Sequence, residues 1–501
     1  MSRYDFRFPT LQLHRISLPE KSLFEGDVKQ IILQINASTG RKNQPSASTQ
    51  KKRLVAARLI VQGLYQSHDD TNPQAALIVP ASSGAYKLDA SDRVSVIGHK
   101  IATSVVTTME ALGWIEVTTG WRFEGHDVPT IIRPTGALLE RFEAIGKIWQ
   151  KLKPPPPASL IRLKNYDPVK KESFYLKTPE SDPVRRMRAD LNKINKFIAT
   201  QAIGLMVTDS KLKKIASKAF RWRGYYEKKR PAVLNLQSVF LRRVFVRSSF
   251  EFGGRLYGAW WQTVPKEGRV HITINGMPTV EIDYSALHPA ILYHRAGLEL
   301  PEGDLYDVGL RDIANPTYDA SIEPYASQRP IIKKYINSKL NDLNDEYRLE
   351  KKKQAKLGIT LSELRKRVEQ RLPEVAKHFG TDIGLRLQRM DSDIAVKVVL
   401  KMQAQGIAAL AIHDSFIVDI TERNALMTAM TEAYFEVVGR PAKFKSKTLF
   451  DNYTHGRRII PPEFPILFTA NGEVDGLAIF KAHEGSKYSK FMASYWARKS
   501  S

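Results

Sequence analysis

The sequence predicts a multidomain α+β protein, and three stretches carry that expectation. TVEIDYSALHPAILYH, residues 279 to 294, alternates like a strand up to Asp283 and then turns helical. GIAALAIHDSFIVDI, residues 406 to 420, reads as a β-hairpin with Asp414 near its tip. KLKPPPPASL, residues 151 to 160, holds four consecutive prolines, which favour a stiff extended linker over helix. A chain of 501 residues, 43% of them hydrophobic, is long enough for several domains and a large core.

From the N-terminus, residues 41 to 53 (RKNQPSASTQKKR) are polar and basic and read as a flexible loop able to lie along phosphates. RLVAARLIVQGLY then predicts a helix. Next come a helix ending at Gly113, a strand from Trp114 to Thr118, a second strand from Thr130 to Arg133, and a helix after Pro134. Helix, β-ribbon, helix resembles a winged-helix domain, a duplex-binding module, and assigns it to residues 1–150. The linker 151–160 leads to a basic helical region, 161–250. Here VRRMRADLNKINKFIATQ predicts a helix, and Trp222, Tyr225 and Tyr226 interleave with basic residues as in a surface that stacks on bases. Residues 251–450 hold the candidate chemistry. Residues 451–501 read as a small β-rich appendage.

The balance of 77 Lys+Arg against 52 Asp+Glu, net +25, favours a polyanionic partner, most simply nucleic acid. With no cysteine, disulfides, thiolate–zinc sites and thiol nucleophiles are excluded. There is no signal-like N-terminus and no apolar run near the ~20 residues that span a bilayer. The expectation is a soluble cytoplasmic protein bound to nucleic acid rather than membrane.

Asp283 and Asp414 each stand at a strand terminus. If their strands are neighbours, the two carboxylates repel unless a cation holds them. Hard oxygen donors suit Mg²⁺ or Mn²⁺, and two such ions about 3.5–4 Å apart activate an attacking hydroxyl and stabilise a leaving pyrophosphate. Between them in sequence lies SQRPIIKKYINSKLND, a helix capped by Ser327, with Arg329 and Lys333 on one face and Asn337 and Asn341 continuing along it. Arg329 and Lys333 suit the phosphates of a nucleoside triphosphate, and Lys333 can protonate the departing pyrophosphate.

These motifs resemble, in order, those of the polymerase superfamily that unites DNA polymerase I-type (family A) DNA polymerases with single-subunit phage-type RNA polymerases. Asp283-Tyr284-Ser285 matches the first motif, Arg329 and Lys333 the fingers helix, and His413-Asp414-Ser415 the third motif. LQRMDSDIAVKVV resembles the helix whose glutamine, here Gln388, touches the primer terminus, and FGGRLYG supplies Arg255, a backbone contact. The resemblance spans roughly residues 240 to 450. It implies a right hand: a palm with an antiparallel sheet, helical fingers, and a thumb in the region 161–250. It also implies two metal ions on Asp283 and Asp414, with Tyr284 lending its carbonyl, and primer or template contacts from Arg255, Gln388 and His413.

The pattern departs from the family in places. Asn341-Asp342 stands where both branches carry Tyr-Gly, and Ser415 replaces the glutamate of the DNA enzymes. The first motif also resembles that of B-type DNA polymerases, whose doubly charged third motif is missing. His288, five residues after Asp283, fits the bulky group that blocks a ribose 2′-hydroxyl and favours deoxynucleotides. Ser415 and the Gly-Arg-Leu-Tyr pattern point instead to the RNA branch. Asp391 and Asp393 are read as structural partners of basic residues. The function expected is a template-directed DNA polymerase without a proofreading exonuclease, taking DNA template, primer and nucleoside triphosphates. The alternatives are an RNA polymerase or primase of the single-subunit type, or a non-catalytic DNA-binding replication or maintenance protein.

Overall fold

The computed structural model describes residues 10–12, 16, 18–38, 45–68, 75–79, 97–119, 122–123, 126–127, 130–146, 148–169, 172–221, 230–231, 233–310, 324–343, 347–442, 444–448 and 487–499. Trp222, Tyr225 and Tyr226 lie outside these, as does most of the proposed appendage. The fold is α+β, and its sheets are largely antiparallel.

The first 146 residues build their own core. Strand β1 (Thr10–Gln12) precedes helices α1 (Glu25–Ser38) and α2 (Ala47–Ser67), then β2 (Ala76–Val79), α3 (His99–Ala111), β3 (Ile115–Thr118), β4 (Thr130–Pro134) and α4 (Gly136–Ile145). The sheet order is β1-β2-β4-β3. The expected helix, two strands and helix are all present. The loop read over 41–53 is corrected, because Ser46 caps α2, its Oγ accepting from the Thr49 amide at 3.3 Å, and 47–53 are helical. Basic side chains on that turn hid a helix whose later turns bury Ala56, Leu59, Ile60 and Leu64. In α3, Ala102, Val105, Val106 and Met109 recur at helical spacing and are buried.

The proline segment is held in place. Pro19 bridges Leu152 in antiparallel fashion, Glu20 N donates to Lys151 O at 2.8 Å, and Lys153 N donates to Leu18 O at 2.7 Å. A buried amide cluster joins the same regions: Gln62 Nε2 donates to Gln150 Oε1 (3.1 Å) and Gln237 Oε1 (3.0 Å), and Gln66 Nε2 to Gln237 Oε1 (2.9 Å).

Region 161–250 is not the helical unit expected. It contributes β5 (Ile161–Asp167), β6 (Glu172–Leu176), helix α5 (Asp182–Ile198), β7 (Ile203–Leu205), α6 (Asp209–Lys218) and β8 (Arg242–Phe245). With β9 (Gly253–Tyr257) it forms a sheet of order β9-β8-β5-β6, in which β8 and β5 run parallel. Charged residues within these strands imitate helix surface. Buried Asn195 on α5 ties this sheet down, its side chain donating to Leu241 O (2.9 Å) and accepting from Leu241 N (2.8 Å).

The central sheet is formed by β7, β10 (Ile272–Ile274), β11 (Met277–Tyr284), and, beyond helices α7 (Leu287–Arg295), α8 (Pro324–Leu340) and α9 (Gly384–Ala404), by β12 (Leu410–Ile412) and β13 (Ser415–Asp419). Its order is β12-β13-β11-β10-β7, and β14 (Phe444–Thr448), which follows helix α10 (Arg423–Val438), also pairs with β11. Ser327 lies inside α8, which starts at Pro324, so it is not the cap expected. Phe416, Val280, Ile282 and Trp261 lie in the large core beneath this sheet. The last helix, α11 (Lys487–Lys499), corrects the β-rich reading at its end: Tyr488, Phe491, Met492 and Tyr495 pack on Ala202 and Met206.

Candidate active site

The β11–β13 register sets the site. Asp283 pairs directly with Ser415, and Tyr284 N donates to Asp414 O at 3.3 Å. The two aspartates therefore leave neighbouring strands, whose backbones lie about 5 Å apart. Alternation turns Val280, Ile282 and Tyr284 into the core and leaves Glu281 and Asp283 on the other face, half-buried. Glu281 is occupied, pairing with Arg269 at 3.0 Å and accepting from Ser415 Oγ at 2.8 Å. The Tyr284 hydroxyl donates to Met430 O at 2.6 Å, so only its backbone faces this region. His413 and Asp414 form the two-residue turn between β12 and β13, and His413 has φ of 59°, a left-handed conformation unusual for a non-glycine residue.

A second layer surrounds the pair. Tyr257 packs edge-on against His413 with ring centroids 5.5 Å apart. Desolvation, helped by nearby Arg255 and opposed by Asp414 and Asp391, pushes the His413 imidazole down to about 4. Its Nδ1 is buried and finds no hydrogen-bond partner among the described residues. Arg255 pairs with fully buried Asp391, its Nε donating at 3.0 Å, and His288 Nε2 lies 2.9 Å from Asp391 Oδ2. Burial would raise the Asp391 carboxyl, but Arg255 and His288 outweigh it and hold it below the usual range. Asp393 pairs with Arg243 at 2.8 Å and with Arg389. Both aspartates of α9 thus meet basic residues, as expected, but Asp391 joins two of the candidate site residues.

The basic helix approaches through a residue that sequence reasoning missed. Arg329 stands over the buried Tyr306 ring at 4.9 Å, with Lys333 Nζ at 5.9 Å. Burial, then the charges of Asp414, Asp304 and Asp283, push the Tyr306 hydroxyl up, while Arg329 opposes them. Tyr306 therefore lies within electrostatic reach of both aspartates and beneath both cations. Arg329 is held by Asp304, with one contact at 3.2 Å, so a phosphate would have to displace that carboxylate. Asn341, expected on the helix, stands just past the end of α8: its Nδ2 donates to Asn337 O at 2.6 Å, and Gln388 Nε2 donates to its Oδ1 at 3.5 Å. Asn341 and Gln388 thus meet each other, joining α8 to α9.

Among the described residues no group of three or more acidic or histidine side chains converges as a metal site. A carboxylate near the end of β11 and one in the turn beside it nevertheless have the donor chemistry for Mg²⁺, which keeps several waters and takes one or two carboxylates plus substrate phosphates. No helix among the described residues is long and apolar enough to cross a membrane.

Asp391 had a legible signal. It falls on the stripe Leu387, Ile394 and Val398 of α9, all buried, and a carboxylate on an apolar stripe must find a cationic partner. Tyr306 and Asp304 lie in an irregular segment that no periodicity marks. Neither a family model nor a curated protein matches the chain.

Proposed function

We propose that this chain is a template-directed nucleic-acid polymerase that extends a primer with deoxynucleotides. The observation that carries the reading is the pairing of Asp283 with Ser415, the residue that follows the His413–Asp414 turn, beside a helix whose Arg329 and Lys333 share the Tyr306 ring. Two Mg²⁺ or Mn²⁺ ions on Asp283 and Asp414, with the Tyr284 carbonyl, would supply charge neutralisation and an activated hydroxyl. Arg329 exchanges Asp304 for a triphosphate oxygen, and Lys333 follows as a cation and proton donor to pyrophosphate. His288, fixed by Asp391, stands beside the sugar, and Arg255, Gln388 and His413 face primer or template.

The test is extension of a labelled primer–template with Mg²⁺, offering deoxynucleotides and ribonucleotides separately, with a control lacking primer. Extension with deoxynucleotides that vanishes in Asp283→Asn and Asp414→Asn supports the reading. Extension only with ribonucleotides moves it to the RNA-synthesising class. DNA binding with no incorporation of either leaves a non-catalytic binding protein, for which the N-terminal helix–ribbon–helix unit would be the functional part.

A further inference from the structure

The sheet β9-β8-β5-β6 has two faces of opposite character. The register places Ile161, Leu163, Arg243, Phe245 and Leu256 on one face, all buried. Directly paired residues share a face. Val244 pairs with Arg255 and Arg162, Arg242 with Tyr257, Lys164 with Tyr175, and Tyr166 with Ser173. The second face therefore carries four cations, Arg162, Lys164, Arg242 and Arg255, and three tyrosines; Arg162 is buried beneath Tyr175 and Arg255 is held by Asp391, which leaves Lys164 and Arg242 as its more accessible charges. No residue of these four strands on that face is acidic. Its aromatic rings are open: Tyr166 is 54% exposed, Tyr257 42% and Tyr175 37%. The Arg162 guanidinium lies 5.0 Å from the Tyr175 ring centroid, which fixes that ring flat beside a cation.

The face is continuous with the candidate active site. Its inner end is Tyr257, which packs on His413, next to Asp414, and Arg255, which pairs with Asp391. Its outer end is Tyr166, near the tip of the β5–β6 hairpin.

We infer that this face binds a single-stranded polynucleotide, the phosphates tracking Lys164 and Arg242 and unpaired bases stacking on Tyr166 and Tyr175. The charge is complementary to a polyanion, and the open rings add a stacking surface that an unpaired base fills and an acidic peptide does not. A duplex hides the base faces that exposed tyrosines would stack on, so the single strand is the favoured occupant. The inference stands whether or not the carboxylate pair is catalytic.

The test uses the full chain without metal or nucleotide, a fluorescein-labelled oligo(dT) of twenty bases and a blunt duplex of equal length, read by fluorescence anisotropy. The double variant Tyr166→Ala, Tyr175→Ala should bind oligo(dT) about tenfold or more weakly, whereas the duplex should change by less than about twofold. Tyr166→Phe with Tyr175→Phe should keep wild-type affinity, because the stacking surface remains. Lys164→Gln should reduce the salt slope of log K by about 0.7, one phosphate contact on a single strand. Wild-type oligo(dT) affinity in the double alanine variant would overturn the inference, and so would equal losses for single strand and duplex. Because no extension is measured, failure here is distinguishable from failure of the proposed activity.

Discussion

The Nε2 of His288 lies 2.9 Å from the Oδ2 of Asp391, a carboxylate with no solvent exposure, on a helix more than a hundred residues away in sequence. The contact joins the helix after the first candidate metal aspartate to the helix before the second. Asp391 also accepts from Arg255, so three of the polar groups around the site stand or fall together.

Removing one partner of this cluster should cost more than an ordinary ion pair. Arg255→Met leaves Asp391 buried and less compensated, and should lower stability by about 3–5 kcal/mol, read from the urea midpoint.

Acid should act through the same carboxylate. The Asp391 pKa is depressed in the fold, so its contribution is complete above the unfolded value near 4 and is lost as the pH falls through the lower folded value. The stability difference between wild type and Asp391→Asn should therefore shrink as the pH is taken below about 4, measured by urea unfolding at several pH values.

His413 occupies a left-handed backbone position that glycine adopts without penalty. Its replacement, His413→Gly, should raise the unfolding free energy by about 1 kcal/mol while primer extension falls. A variant both less stable and fully active would show that the strained turn serves folding alone.

Divalent ions offer a readout separate from turnover. On the proposed reading Mn²⁺ is held by the folded carboxylate pair, so it should raise the melting temperature of the wild-type protein in a concentration-dependent way. Asp283→Asn and Asp414→Asn should each abolish the rise in a thermal shift assay.

Asn195 tests the packing beneath the basic sheet. Asn195→Ala orphans both the amide and the carbonyl of Leu241, and should cost about 1–3 kcal/mol for each group left without a partner. Chemical denaturation gives the value.

Short-range signals were the legible ones. The 413–414 hairpin announces itself by apolar runs on both sides of a polar pair, and α3, β3, β4 and α4 by a change of period at Gly113 and Pro134. The approach of Asp283 to Asp414 was a sequence expectation, and the strand register gives it a location. What escaped was long-range. Strand β8 reads RRVF, and its arginines look like helix surface until β5 pairs beside it in parallel. Tyr306 gains its meaning only from cations of α8 overhead, and Arg329 from Asp304 in the same irregular segment. Such contacts depend on chain closure across many residues and leave no local period.

The bridge between Pro19 and Leu152 and the buried amides of Gln62, Gln66, Gln150 and Gln237 fasten the N-terminal unit to the chain that follows it. Cutting the unit away at the proline segment leaves the Gln237 side chain without the amides that satisfy it, a cost of about 1–3 kcal/mol for each buried group orphaned. The seam therefore makes neighbours of two cores that a protease would otherwise separate cleanly.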